Sequence, residues 1–65
     1  MEIEDYKNKF TQHLINRGFD KAWAENQAGS HIQTIGIDNL HDPVDDANEH
    51  MTDFCEENDL GTWDT

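Results

Sequence analysis

The sequence predicts an all-α fold, a small three-helix domain occupying residues 1–65, on three observations. Apolar residues recur at spacings of three and four in three separate stretches. Each stretch is bracketed by residues that start or stop helices, and none of the chain alternates apolar and polar residues as a half-buried strand does. The predicted helices cover residues 2–17, 20–35 and 43–60, with 62–65 as a short C-terminal tail.

A chain of 65 residues buries only about 60% of its unfolded surface, so its core is small and its stability modest. Hydrophobic residues make up 34% of the sequence and the mean hydropathy is −0.98, low for a folded domain. Three Phe, two Trp, one Tyr and the clear periodicity nonetheless argue against disorder.

In the first helix Ile3, Tyr6, Phe10 and Leu14 fall on one stripe. Glu2, Glu4 and Asp5 in its first turn and Arg17 in its last complement the helix dipole, and Gly18 supplies the left-handed residue that ends it. Asp20 is positioned to cap the second helix, with Phe19 before it as a hydrophobic staple. Ala24, Ala28, Ile32 and Ile35 form the inward stripe of that helix, and Trp23 falls off it. Gly29-Ser30 weakens the middle, although Gly36 is the expected stop. Ile37 and Leu40, in the connection that follows, are expected to tuck against the core.

The third helix has the clearest boundary: Asp42 as N-cap and Pro43 at the first helical position, where its missing N–H is harmless. Val44, Ala47, Met51, Phe54 and Cys55 occupy an arc of about 100° on the helical wheel, with the acids on another arc of about 120° facing away. Gly61 is the expected stop.

Charge is the most informative property. The net charge is −11, and it is unevenly distributed. Residues 1–21 balance Glu2, Glu4, Asp5 and Asp20 against Lys7, Lys9, Arg17 and Lys21. Residues 22–65 carry Glu25, Asp38, Asp42, Asp45, Asp46, Glu49, Asp53, Glu56, Glu57, Asp59 and Asp64 with no Lys or Arg. Direct binding to nucleic acid or to an anionic membrane is therefore not expected, because a phosphate backbone or lipid headgroup would meet nothing cationic there. A basic partner is expected instead.

Seven carboxylates from Asp42 to Glu57 span about 22 Å of helix, or about one per 3 Å, close to the roughly 3.4 Å spacing of phosphates along one DNA strand. Like charges at i,i+4, such as Asp45/Glu49, Glu49/Asp53 and Asp53/Glu57, each cost a few tenths of a kcal/mol. Glu56, Glu57 and Asp59 also crowd the helix end that disfavours anions. Uncompensated local penalties of this kind are the mark of a binding surface rather than of solubility alone.

The expected function is therefore non-enzymatic. A small acidic inhibitor or decoy presents Asp42, Asp45, Asp46, Glu49, Asp53, Glu56 and Glu57 to a DNA- or RNA-binding protein by nucleic-acid mimicry. Charge and size, though not sequence, suggest by analogy the counter-defence and host-takeover proteins that phages encode. An alternative is an adaptor or regulatory module recognised through Trp23 and Trp63, with the charge serving only solubility, since aromatic residues off the core stripe are enriched at interface hot spots. A homodimer burying Trp23 would also enlarge the small core.

A divalent-metal-responsive regulator is the third alternative. Asp46 and His50 lie at i,i+4 beside His41, Asp42 and Glu49, a workable two-ligand spacing. A calcium-loop template laid from Asp38 to Glu49 fails at Leu40 and at Pro43, where a glycine is needed. No metal or other cofactor is expected.

Catalysis is not expected either. Cys55 lies on the apolar arc beside Glu56 and Glu57, the wrong setting for a reactive thiolate. His13, His31, His41 and His50 show no nucleophile at a recognisable spacing, and so short a chain rarely encloses a substrate cleft. The first two helices have the length of a helix-turn-helix, but the would-be reading helix carries only Lys21 as a base. The lone cysteine and the polar, acidic N-terminus point to a cytoplasmic protein without a membrane span.

Overall fold

The computed structural model describes residues 2–63. It is all-α, as the periodicity predicts. Helix α1 spans Ile3–Asn16, α2 Lys21–Ile35 and α3 Pro43–Glu57, with a 3₁₀ turn at Ile37–Asn39, and no strand occurs among the described residues. Asp64 and Thr65 of the expected tail lie outside the described residues.

The helix ends follow local chemistry. Gly18 adopts φ +101° and lets the Phe19 N–H donate to the Leu14 carbonyl at 3.1 Å, the six-to-one bond of a glycine-closed helix. Asp20 then caps α2, accepting from the N–H groups of Ala22 at 3.0 Å and Trp23 at 3.4 Å. Asp42 caps α3 in the same way, accepting from Val44 at 3.0 Å and Asp45 at 3.1 Å. Each cap satisfies backbone donors that the helix itself leaves unpaired.

Gly29-Ser30 does not interrupt α2, which runs on to Ile35 and stops at Gly36, as expected. The end of α3 differs from the expectation. It closes at Glu57, before residue 60, and Asp59 rather than Gly61 turns the chain, at φ +55°. The Leu60 N–H donates to the Cys55 carbonyl at 2.9 Å, and the Asn58 side-chain amide donates to the Phe54 carbonyl at 2.8 Å. Asp is among the few residues that tolerate the left-handed region, and adjacent carboxylates at the negative end of the dipole favour an early stop.

Helix α1 is central. It packs along both α2 and α3, whose backbones hardly approach each other. Large Tyr6, Phe10, Leu14 and Met51 are fully buried against small Ala24, Ala28 and Ala47, and Leu40 closes one end of the core. Burying a large apolar side chain of this kind stabilises by about 1.5–3 kcal/mol.

Several expected core residues are more exposed than the wheel implied. Ile3, Ile35 and Val44 are 39–41% exposed and Ile37 is 64% exposed. Ile3, Ile35 and Val44 sit at or next to helix ends, where the apolar stripe runs past the neighbouring helix. Polar Thr11, His31 and Asp46 are buried instead.

Candidate functional site

Helix α3 presents two neighbouring features: an outward arc of carboxylates and, along one edge of that arc, a cleft facing α2. Asp42, Asp45, Glu49, Asp53, Glu56 and Glu57 are exposed. Asp42 also serves as the N-cap, so one of its oxygens is engaged by backbone. Among the described residues, Asp46 is the only α3 carboxylate in an ion-pair contact, and its partner is a histidine.

Asp46 departs from the expected exposed ladder, being only 5% exposed. Its Oδ2 accepts from the Tyr6 hydroxyl at 2.5 Å and from the His41 N–H at 2.9 Å, while His31 Nε2 stands at 3.8 Å, beyond hydrogen-bond reach. One carboxylate thus ties α1 to the segment leading into α3. Burial, together with the hydrogen bond to Asp46 and its negative charge, raises the Tyr6 pKa far above the ordinary phenol value. The hydroxyl therefore remains a donor. With Asp46 withdrawn, six exposed carboxylates from Asp42 to Glu57 give about one charge per 3.7 Å over the same roughly 22 Å of helix, only slightly sparser than the phosphates of one DNA strand.

The cleft exists because α1 holds α2 and α3 apart. It is an open groove with a volume of about 630 Å³. Gln27, Ser30, His31, Thr34 and Ile35 of α2 form one wall, and Asp46, Glu49, His50, Asp53, Phe54 and Glu57 of α3 form the other, with Asn39 and His41 completing it. Among the described residues no lysine or arginine lines it.

Two imidazoles stand in the cleft wall over Phe10. The His31 and His50 rings lie 5.4 Å apart edge to face, at 5.2 and 5.8 Å from the Phe10 ring. His50 Nε2 donates to Gln27 Oε1 at 2.8 Å and so bridges the two walls. Its pKa is lowered, first by burial and then by His31, with Asp53 and Glu57 pulling in the opposite direction. His31 is 7% exposed, and its Nε2, which faces the Asp46 carboxylate, has no hydrogen-bond partner among the described residues. The i,i+4 pair of Asp46 and His50 is present, but among the described residues no three His, Cys, Asp or Glu side chains are arranged to hold a metal ion.

The two tryptophans both have intramolecular partners. Trp23 is half-buried, stacked on Phe19 at 4.8 Å and edge-on to Phe54 at 5.6 Å. Trp63 folds back onto Phe19 at 5.9 Å, receives the Arg17 guanidinium over its ring at 4.4 Å, and donates from Nε1 to Asn48 Oδ1 at 3.1 Å. His13 Nε2 donates to the same amide oxygen at 2.8 Å. Cys55 is buried.

Sequence reasoning missed His31, Gln27 and the hydroxyl of Tyr6 as parts of this site. The signal for His31 was present, because it follows Ala24 and Ala28 at helical spacing on the inward stripe. The Tyr6–Asp46 bond joins residues separated by 40 positions and has no local signature. No helix among the described residues is long and apolar enough to cross a membrane. No protein-family model, curated protein or solved structure matches this chain.

Proposed function

We propose that this protein is a non-enzymatic acidic inhibitor or decoy that binds a basic, nucleic-acid-binding protein through the outward face of α3. The observation that carries this reading is the separation of charge on a packed scaffold. Asp45, Glu49, Asp53, Glu56 and Glu57 stand exposed on a helix anchored by buried Ala47, Met51 and Cys55. Every lysine and arginine lies at or before Lys21. The face is thus a rigid anionic surface, able to steer a cationic partner and to release its counterions.

Without Asp46 the exposed ladder still averages about 3.7 Å per charge, near the phosphate spacing of one strand, which suits it to a cationic groove that holds nucleic acid. A phage-type counter-defence or host-takeover role fits the charge and size by analogy. It also fits a cytoplasmic site of action, where a lone cysteine stays reduced. The adaptor reading through Trp23 and Trp63 draws less support, since both rings are engaged within the chain. So does a homodimer built on Trp23.

The test is affinity capture of basic proteins from a host lysate, repeated with duplex DNA as competitor and across a salt series. Binding is expected to fall steeply with salt, to be displaced by DNA, and to weaken at least about tenfold when Asp45, Glu49 and Glu56 are changed together to Asn, Gln and Gln. Recovery of neutral or acidic proteins alone, unaffected by DNA, would overturn the reading.

A further inference from the structure

We propose that the end of the molecule where α1 and α3 begin and α2 stops is a docking surface for a cationic amphipathic helix of a partner protein, which rests on the basic partner inferred above and adds an apolar contact to it. Of the five large aliphatic side chains exposed among the described residues, four lie at this end: Ile3, Ile35, Ile37 and Val44. Local contacts bring their segments together. Tyr6, one turn after Ile3 on the same stripe, donates to Asp46, which shares the first turn of α3 with Val44. The same carboxylate accepts from the His41 N–H, while the Asn39 side-chain amide donates to the Ile35 carbonyl at 3.1 Å and the Asn39 N–H to the Gly36 carbonyl at 3.0 Å. The connection that carries Ile37 is thereby held against the end of α2 and the start of α3, with Leu40 turned into the core.

A lone exposed aliphatic is ordinary in a monomer, but four gathered at one end of a 65-residue chain mark a contact surface. The far end shows the contrast. There Phe19 stacks on Trp23 and Trp63, and Trp23 meets Phe54 edge-on, so the large apolar groups cover one another.

Charge selects the occupant. Glu2, Glu4 and Asp5 at the start of α1, Asp38 in the 3₁₀ turn, and Asp42 and Asp45 at the start of α3 are all exposed. Residues 2–6 and 36–46 contain no lysine or arginine, and Lys7 is the nearest base in sequence. A second copy of the chain would set these carboxylates against their like, and anionic lipid or nucleic acid would be repelled in the same way. A helix with an apolar stripe between lysine or arginine flanks meets both demands, placing aliphatic against aliphatic and cation against carboxylate. Unlike the carboxylate arc of α3, such a contact keeps an apolar component that salt does not screen.

The experiment is an NMR titration of the full chain with a helical peptide of leucine and lysine in amphipathic register. Two controls accompany it, one with glutamine in place of every leucine and one with glutamate in place of every lysine. The leucine-lysine peptide should shift the methyl signals of Ile3, Ile35, Ile37 and Val44 saturably, bind at least about tenfold more tightly than the glutamine control, and keep measurable affinity at about 0.5 M sodium chloride. The glutamate control should not bind. Ile37→Gln combined with Val44→Gln should weaken leucine-lysine binding at least about tenfold. Ile37→Gln alone, at the most exposed of the four positions and outside the three long helices, keeps the fold and should weaken it about threefold. Leu60→Gln removes an aliphatic as exposed as Ile37 from the other end and should change it less than about twofold.

Equal binding of the leucine-lysine and glutamine peptides, binding of the glutamate peptide, shifts confined to the outward face of α3, an equal loss in Leu60→Gln, or a dimer of the free chain that Ile37→Gln breaks would each overturn the proposal. The acidic α3 face is judged separately. Salt-steep, DNA-competed capture of a basic protein that is unaffected by Ile37→Gln/Val44→Gln would leave the decoy standing and remove the apolar dock. Peptide docking that this variant abolishes, without any DNA-competed capture, would remove the decoy and leave the dock.

Discussion

At Asp46 a single buried oxygen receives a phenol from α1 and a backbone N–H from the segment leading into α3, so each donor removed leaves unmet acceptor capacity in the interior. Tyr6→Phe deletes the hydroxyl with little change in shape and is expected to cost about 1–3 kcal/mol in urea unfolding, the penalty for stranding a buried partner. The same bond sets an alkaline limit. The pKa of Tyr6 is raised in the folded state, so its contribution is fully present below the unfolded value of 10.0 and is lost as pH climbs through the folded value. His50 sets a limit on the acid side. Its pKa is lowered below the ordinary 6.5, so the unfolded chain binds the proton first, and its contribution is intact above 6.5 and declines as pH falls from there toward the folded value. A melting series from pH 8 to 5 should show that decline, and His50→Gln should flatten it. An unchanged slope in the variant would assign the pH dependence to the carboxylates.

Among the elements, α2 carries the clearest unrealised stability. Gly29 lies within a continuous helix, its φ is not positive, and a Cβ built there meets nothing within 4 Å. Gly29→Ala should therefore stabilise the fold by about 1 kcal/mol, through helix propensity and a less flexible unfolded chain. The same change at Gly18, where φ is +101°, should destabilise it by at least about 1 kcal/mol. A pair of denaturation curves decides both, and a loss of stability at residue 29 would mean that α2 needs its glycine. These two positions also show what the sequence made legible. Asp20, Asp42, Pro43, Gly18 and Gly36 act on atoms within a few residues of themselves, so composition and spacing located every helix start and two of the three stops. The stop of α3 was harder because Asp59, although it tolerates the left-handed region, does so less readily than glycine, and the more permissive Gly61 lay just beyond. The exposed part of the acidic face was also legible, since wheel angle alone separates Asp45 and Glu56 from Ala47 and Met51. The burial of Asp46 and His31 and the cleft beside them depend on how far α1 spreads its two neighbours. That separation is a property of three packed surfaces and leaves no mark on any one helix.

For the whole molecule, segregation of charge and small size act together. The principal extents are 32 × 21 × 18 Å, so at 10 mM salt, where the screening length is about 30 Å, the carboxylates of α3 interact with nearly every other charge in the protein. The net charge of −11 is then self-repulsive across the body, opposing a core of few large side chains. At 150 mM the screening length contracts to about 8 Å, which leaves neighbouring i,i+4 pairs coupled but silences the longer-range terms. The melting temperature should accordingly rise by roughly 5 °C between these two concentrations of sodium chloride, corresponding to about 1 kcal/mol for a domain of this size. Replacing Asp45, Glu49 and Glu56 by Asn, Gln and Gln should raise the low-salt value and remove most of the salt response. The surface proposed to attract a basic partner is thus the one that weakens the free protein, so a cationic partner should act as salt does and do so more strongly. A melting temperature that stays flat from 10 to 150 mM would show that the charges are too dispersed to form one face, and would count against both the acidic surface and the function drawn from it.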